Sequence, residues 1–202
     1  VVGTKARMVS AEGMPSRYDS RDPASPAAVR RLMRRRNALV HPTVMMRRQA
    51  YLETTGYRRA VVPSEDYDLW LRILDRHDIA NLSAVLLDYT VHGKQVSSSM
   101  LERQILGALA AQLASRNRQD DNLDALDAVK QYDLLRLGAT AGRIEQALVE
   151  GYTEMANTAW SVGNGAYALA LLDALAARGL SPAGARRLRS ERQWLAAKEA
   201  LA

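Results

Sequence analysis

Two adjacent carboxylates, Glu65 and Asp66, stand at the start of a segment whose apolar residues recur at helical spacing. Asp66 precedes Leu69 and Trp70 by three and four residues, so a helix would place these residues on one face. The positive end of the helix dipole favours an ionised carboxylate there, and such a carboxylate at a cleft edge can accept a proton from a hydroxyl. Acidic first turns often only complement the dipole, so the spacing alone leaves both interpretations open.

Histidines are the other candidates for proton transfer or metal binding. His92 follows an apolar extended segment, His41 lies just before Pro42, and His77 ends the predicted helix. A lone histidine is more often structural than a ligand, and His77 is placed to complement the negative end of the helix dipole. The sequence therefore offers His41 and His92 as candidates without assigning either a role.

The sequence pattern predicts that a mixed α/β region positions these residues and that an all-α region follows it. The expected elements are strands over residues 1–10 and 78–91 (the second largely buried), a loop over 14–25, and helices beginning near residues 26, 48 and 64. Residues 37–46 are compatible with a strand, and Pro42 marks this segment as an edge strand or a bulge. The third of these helices should run from an N-cap at Ser64 to about His77, with Asp68 on its flank or opposite face. Beyond residue 99, glycines and Pro182 separate about five helices. We therefore expect two domains, residues 1–98 and 99–202.

The charge of the chain is concentrated near its start. The net charge is +6, and residues 1–60 carry thirteen Lys and Arg against four Asp and Glu. The arginine run of residues 30–36 could contact an anionic partner or form a solvated helix face. Because no zinc-finger, RNA-recognition or helix-turn-helix motif accompanies it, we do not expect a nucleic-acid partner.

Cysteine content and hydropathy limit the compartment. The chain has no Cys, which excludes disulfides and fits a reducing compartment. No apolar run approaches the ~20 residues of a membrane helix. We expect a cytoplasmic protein, with peripheral contact at the inner face of the membrane left open. The apolar run that begins at Val1 suggests a strand already under way, so we expect the chain to be a fragment.

An ordered set of short motifs resembles the C-terminal half of family 2 glycosyltransferases, which have the GT-A fold. The motifs are residues 37–48 (NALVHPTVMMRR), 56–58 (GYR), 65–72 (EDYDLWLR), 81–82 (NL), 89–92 (YTVH) and 95–97 (QVS). The resemblance covers about residues 1–98 as a partial GT-A domain with a mixed sheet, and the helical region has no counterpart in it. We expect the nucleotide-binding half of the family, with its Asp-any-Asp metal motif, to precede Val1. This chain alone should therefore not turn over a nucleotide-sugar.

The resemblance implies transfer of a sugar, with inversion, from a nucleotide-sugar donor to a carbohydrate or lipid-linked acceptor, as in bacterial surface polysaccharide synthesis. Asp66 would be the general base on the acceptor hydroxyl, and Glu65 would place the acceptor or support the helix end. The residues implied on the acceptor side are His41, Arg47, Gly56 and Trp70. His92 would join the ligands of a Mg²⁺ or Mn²⁺ ion that is bound mainly by the other half.

A second class of function is a non-catalytic interaction module. In that case the helical region would be a scaffold surface, and the arginine run would dock anionic partners. If the chain is instead the glycosyltransferase fragment, its sheet without the first half would expose an edge or a buried face. We therefore expect the fragment to self-associate into a homo-oligomer, to have been cut from a larger chain, or to be one part of such a chain.

Overall fold

The computed structural model describes residues 1–19, 22–92, 99–121, 124, 126 and 131–199. Within these ranges the chain is mixed α/β, with a three-stranded mixed sheet and several helices. The strands are β1 (Val2–Val9), β2 (Pro15–Asp19) and β3 (Ala80–Thr90). The helices are α1 (Pro26–Met33), α2 (Arg48–Leu52), α3 (Glu65–Leu74), α4 (Leu101–Asp121), α5 (Ala141–Ser161), α6 (Gly165–Ala176) and α7 (Pro182–Glu199). The motif at residues 95–97 lies outside the described residues.

The sheet has the order β2-β1-β3, with β2 antiparallel and β3 parallel to β1. The prediction of a loop over residues 14–25 was wrong at β2. Gly13, at φ +81°, allows a tight turn after Ser10, whose N–H donates to the carbonyl of Met14 at 2.8 Å. The turn brings the polar segment that follows back alongside β1 as a strand.

β3 was predicted to be largely buried, and that prediction was wrong. The strand lies at an edge of the sheet, and Leu82, Val85 and Leu86 are exposed by 51, 39 and 67 %. A run of apolar residues predicts burial on both faces, but burial also requires another layer to cover the strand. In the described part of the chain, the middle of β3 has no such cover.

Residues 37–46 form a 3₁₀ turn, His41–Thr43, rather than the predicted edge strand. Pro42 fixes φ and lacks an N–H, which suits the first turn of a helix better than a ladder. Strand pairing is reduced to one bridge between Val2 and Met45. The Thr43 hydroxyl accepts a hydrogen bond from the N–H of Thr4 at 3.0 Å, so β1 holds the loop that carries His41.

Helix α3 begins where predicted, although Ser64 does not cap it. The Ser64 hydroxyl donates instead to the carbonyl of Gln104 in α4 at 2.6 Å. The helix ends at Leu74, before His77, and Arg30 of α1 donates to the Leu74 carbonyl at 2.7 Å. Arg30, from the basic run, thus satisfies a carbonyl at the end of α3.

The first helix of the predicted all-α region contributes to the α/β core. Ala111 of α4 is fully buried in one cluster with Trp70 and Leu69 of α3 and Met33 of α1. A second cluster joins α5, α6 and α7 around Ala156 and other buried residues. None of the helices in the described ranges combines the length and hydropathy that a membrane-spanning segment needs.

Candidate functional site

Asp66 lies in the first turn of α3 with its carboxylate mostly enclosed, at 17 % exposure. One carboxylate oxygen accepts the N–H of Tyr67 at 2.7 Å, and the other accepts the side-chain amide of Asn37 at 3.1 Å. Asn37 is itself oriented, because its amide oxygen accepts the N–H of Leu39 at 3.1 Å. These contacts fix the carboxylate at the N-terminal end of the helix, where the dipole stabilises its charge.

His41 lies beside this carboxylate. Its Nδ1 is 4.0 Å from Asp66 Oδ2, and its Nε2 is 3.2 Å from the hydroxyl oxygen of Tyr57. The edge-on ring of Trp70 supports the imidazole, with ring centroids 5.8 Å apart. The side chain of His41 is 47 % exposed, and Tyr57 is 42 % exposed. Solvent and dissolved ligands therefore reach this side of Asp66.

The pKa of Asp66 is raised above its ordinary value, chiefly because burial disfavours the charged form. The N–H of Tyr67, the charge of His41 and the amide of Asn37 act in the opposite direction, while the charge of Glu65 adds to the rise. Burial and the charge of Asp66 also raise the pKa of Tyr57, which keeps the phenol a hydrogen-bond donor. The site thus combines a carboxylate of increased basicity with an accessible hydroxyl.

Glu65 contributes a buried acceptor. Its Oε2 is enclosed and has no hydrogen-bond partner among the described residues. Leaving a buried polar atom unsatisfied is costly, and this unpaired acceptor belongs to the residue that precedes Asp66. We refer to Asn37, His41, Tyr57, Glu65 and Asp66 as the α3 site.

Trp70 and Gly56 support the α3 site from behind. Trp70 is fully buried, so in this structure its ring contacts His41 and cannot reach an acceptor directly. Gly56 has φ +73°, and a Cβ there would lie 2.7 Å from the hydroxyl oxygen of Tyr51. Glycine is needed for the turn that presents Tyr57 to His41.

Arg47 and His92 are not among the partners of Asp66. Arg47 is exposed at the residue before α2, and His92 is exposed two residues beyond β3. The N–H of Val91 donates to the carbonyl of Val9 at 2.8 Å, which holds the end of β3 beside β1. No three His, Cys, Asp or Glu side chains of the described ranges come together as a group that could hold a metal ion.

Behind the α3 site lies a buried ionic network that sequence reasoning missed. Asp68 was expected on the flank or opposite face of α3, but its side chain is 0 % exposed. It accepts hydrogen bonds from Arg58 at 2.9 Å and from Arg72 at 2.9 and 3.1 Å. The i,i+4 spacing of Asp68 and Arg72 was a local signal for this contact. The pairing with Arg58 had no such signal, because it depends on the loop after α2.

The network continues into the helical region. Arg58 forms an ion pair with Asp124 at 2.8 Å, and Arg118 of α4 joins Asp124 at 2.8 Å to Asp75 at 2.9 Å. Burial lowers the pKa of Arg58, but its hydrogen bonds with Asp68 and Asp124 outweigh this and raise it. We refer to Arg58, Asp68, Arg72, Asp75, Arg118 and Asp124 as the ionic network. It fastens α3 to the loop after α2 and to the region after α4.

The chain is similar to a known glycosyltransferase over half of its length. It is 34 % identical over 109 residues to the O-antigen biosynthesis glycosyltransferase WbnJ of Escherichia coli. The matched part covers 50 % of this chain and 40 % of WbnJ, so the chain spans less than half of that relative. No family model matches the chain, and no solved structure matches it.

Proposed function

We propose that this chain is the acceptor-side part of an inverting family 2 glycosyltransferase with a partial GT-A fold. The observation that carries the proposal is the Asp66 carboxylate, held at the start of α3 beside an accessible imidazole and phenol. The similarity to WbnJ supports sugar transfer in polysaccharide synthesis as the class of reaction. The donor would be a nucleotide-sugar, and the acceptor would be a carbohydrate or lipid-linked saccharide.

In the proposed reaction, Asp66 takes the proton of an acceptor hydroxyl. The hydroxyl oxygen forms a bond to the anomeric carbon, and the bond from that carbon to the diphosphate breaks with its electron pair leaving on the diphosphate. Burial raises the pKa of Asp66, which increases its strength as a base. Asn37 and the N–H of Tyr67 orient the carboxylate, while Glu65 would support the start of the helix or help to place the acceptor.

A Mg²⁺ or Mn²⁺ ion remains an expectation in this proposal. His92 would supply one ligand, and the others would have to come from outside the described residues, because these contain no ligand cluster. The present residues alone do not fit such an ion, so no step is assigned to it. The cytoplasmic location with peripheral membrane contact, and the roles of Arg47 and Gly56 on the acceptor side, also remain predictions.

The test is a sugar-transfer assay on the gene product with any N-terminal segment included. We expect Asp66→Asn to lower kcat by about 10²–10⁴, the usual value of general-base assistance. Asp88→Asn, which removes an exposed carboxylate paired with Arg7, is the matched control and should retain activity. The anomeric configuration of the product, read by NMR, should be opposite to that of the donor. Undiminished turnover by Asp66→Asn would remove Asp66 from the mechanism, and a retained configuration would exclude inversion.

A further inference from the structure

A large cavity opens in the helical region, and none of the residues of the α3 site lines it. Its volume is about 730 Å³, within the range of roughly 300–1,000 Å³ that is usual for small-molecule sites. The walls come from α4, α5 and α6 and from the segment that contains Tyr132. The aliphatic part of the wall consists of Met100, Leu101, Leu106, Ala170, Leu171 and Ala174.

Three tyrosines complete the lining. Tyr132, Tyr152 and Tyr167 each present a ring to the cavity. In the described part of the chain, their hydroxyl groups form no hydrogen bonds, although Tyr152 is only 8 % exposed. Tyr132 and Tyr167 are half-buried, and the hydroxyl groups of all three tyrosines are available to a ligand in the cavity.

The charged residues at the cavity differ in whether they are already paired. Glu102 is occupied, because Arg178 donates to both of its carboxylate oxygens at 2.5 and 2.7 Å. Arg103 is exposed, and it takes part in no ion pair within the described ranges. Arg103 and Tyr132 line the same cavity, and the charge of Arg103 opposes the rise that burial causes in the pKa of the Tyr132 hydroxyl. The accessible charge at the cavity is therefore positive.

We propose that this cavity binds an amphiphile with one aliphatic chain and an anionic head group. The chain would lie against the aliphatic wall, and the head would meet Arg103 and the hydroxyl of Tyr132. The aliphatic part of the wall favours a hydrocarbon chain over a saccharide, because leucine, methionine and alanine side chains offer no hydrogen bonds to sugar hydroxyl groups. The inference rests on the helical region alone and does not depend on a role for Asp66.

The test is calorimetric titration of the protein with dodecyl phosphate below its aggregation concentration. We expect saturable binding of one molecule. Ala170→Trp should weaken it about tenfold or more, because the new side chain occupies the cavity. Ala176→Trp, on the same helix but outside the cavity, is the control and should bind as the wild type does. Circular dichroism confirms that both variants fold; should Ala170→Trp unfold, Ala174→Trp replaces it.

The head group is tested separately. Arg103→Gln should weaken binding of dodecyl phosphate about threefold to fivefold, the size expected for a contact at an exposed charge. The same variant should leave binding of dodecan-1-ol unchanged, and inorganic phosphate alone should not compete. Absent or non-saturable binding, or equal affinities for the Trp variants and the wild type, would overturn the site. An unchanged affinity in Arg103→Gln would overturn the anionic head group.

Discussion

The raised pKa of Asp66 predicts how its carboxylate affects stability. Because the folded pKa lies above the unfolded one, the folded state holds a proton that the unfolded state has lost. The free energy of unfolding that this group contributes therefore falls as the pH rises from the ordinary pKa of an aspartate through the raised pKa of Asp66. Asp66→Asn removes this decrease of stability with pH. The altered hydrogen bonding of the asparagine also changes stability, but by an amount that does not vary with pH.

Urea unfolding of wild type and Asp66→Asn between about pH 4 and pH 8 measures this difference. The stability of the variant relative to the wild type should increase with pH over that interval. Carboxylates with a lowered pKa, such as Asp124, have the opposite pH dependence, but they are common to both proteins and cancel. Curves that stay parallel throughout would show that Asp66 is not perturbed.

At the residue scale, the sequence predicted the face of α3 that carries Asp66 better than it predicted the residues around that carboxylate. Helical spacing placed Asp66 on the inner side of α3, and the structure confirms its enclosure. The contacts of Asn37 and Tyr57 with this site depend on a loop and on a turn at Gly56, and neither has a repeating pattern. Trp70 shows the limit of local reasoning, since its spacing indicated an inward face without saying how deeply it is buried.

Among the elements, the ionic network should contribute strongly to stability. Asp68→Asn leaves Arg58 and Arg72 with one fewer carboxylate in a site where Asp68 is 0 % exposed. Breaking a buried pair in this way typically costs about 3–5 kcal/mol. Asp88→Asn is the matched control, because its ion pair with Arg7 lies half in solvent, and it should change stability little. Equal effects in chemical denaturation would contradict this account of the network.

The packing of α4 against the loop before α3 gives a second prediction at this scale. A Cβ on Gly107 would lie 2.9 Å from the carbonyl oxygen of Val61, which is backbone and cannot move aside easily. Gly107→Ala should therefore lower stability by about 1–3 kcal/mol, although alanine is the better helix former.

Gly142→Ala provides the comparison for Gly107→Ala. Gly142 lies in the first turn of α5 with nothing within 4 Å of its added Cβ. Alanine there should raise stability by about 0.5 kcal/mol through helix propensity alone. Stabilisation by both substitutions in thermal unfolding would mean that α4 is not packed closely against Val61.

The strands and helices were predictable to the extent that their patterns are local. β1, α1 and α3 follow from apolar spacing and from Ser or Pro at a helix start. The formation of β2 and the burial of β3 depend instead on tertiary contacts between segments that are distant in the sequence. The 3₁₀ turn at His41–Thr43 was not predicted, because Pro42 was interpreted as the mark of an edge strand or a bulge rather than of the first turn of a helix.

For the whole molecule, the shared core predicts that residues 1–98 do not fold alone. Removing α4 takes Ala111 out of the cluster around Trp70 and leaves Ser64 without its acceptor on Gln104. It also removes Arg118 and Asp124 from the ionic network. We expect residues 1–98 to lack a cooperative thermal transition and to be digested rapidly by protease. A sharp transition near that of the full chain would contradict this expectation and support the predicted domain boundary at residue 98.

The ionic network also constrains how related sequences can diverge. It contains three guanidinium groups and three carboxylates, linked in one line from Arg72 to Asp75. A homologous protein that lacks one of the three carboxylates retains an excess positive charge in its interior, unless it also lacks one of the arginines. Homologues should therefore substitute positions 58 and 124 together, even though 65 residues of chain lie between them.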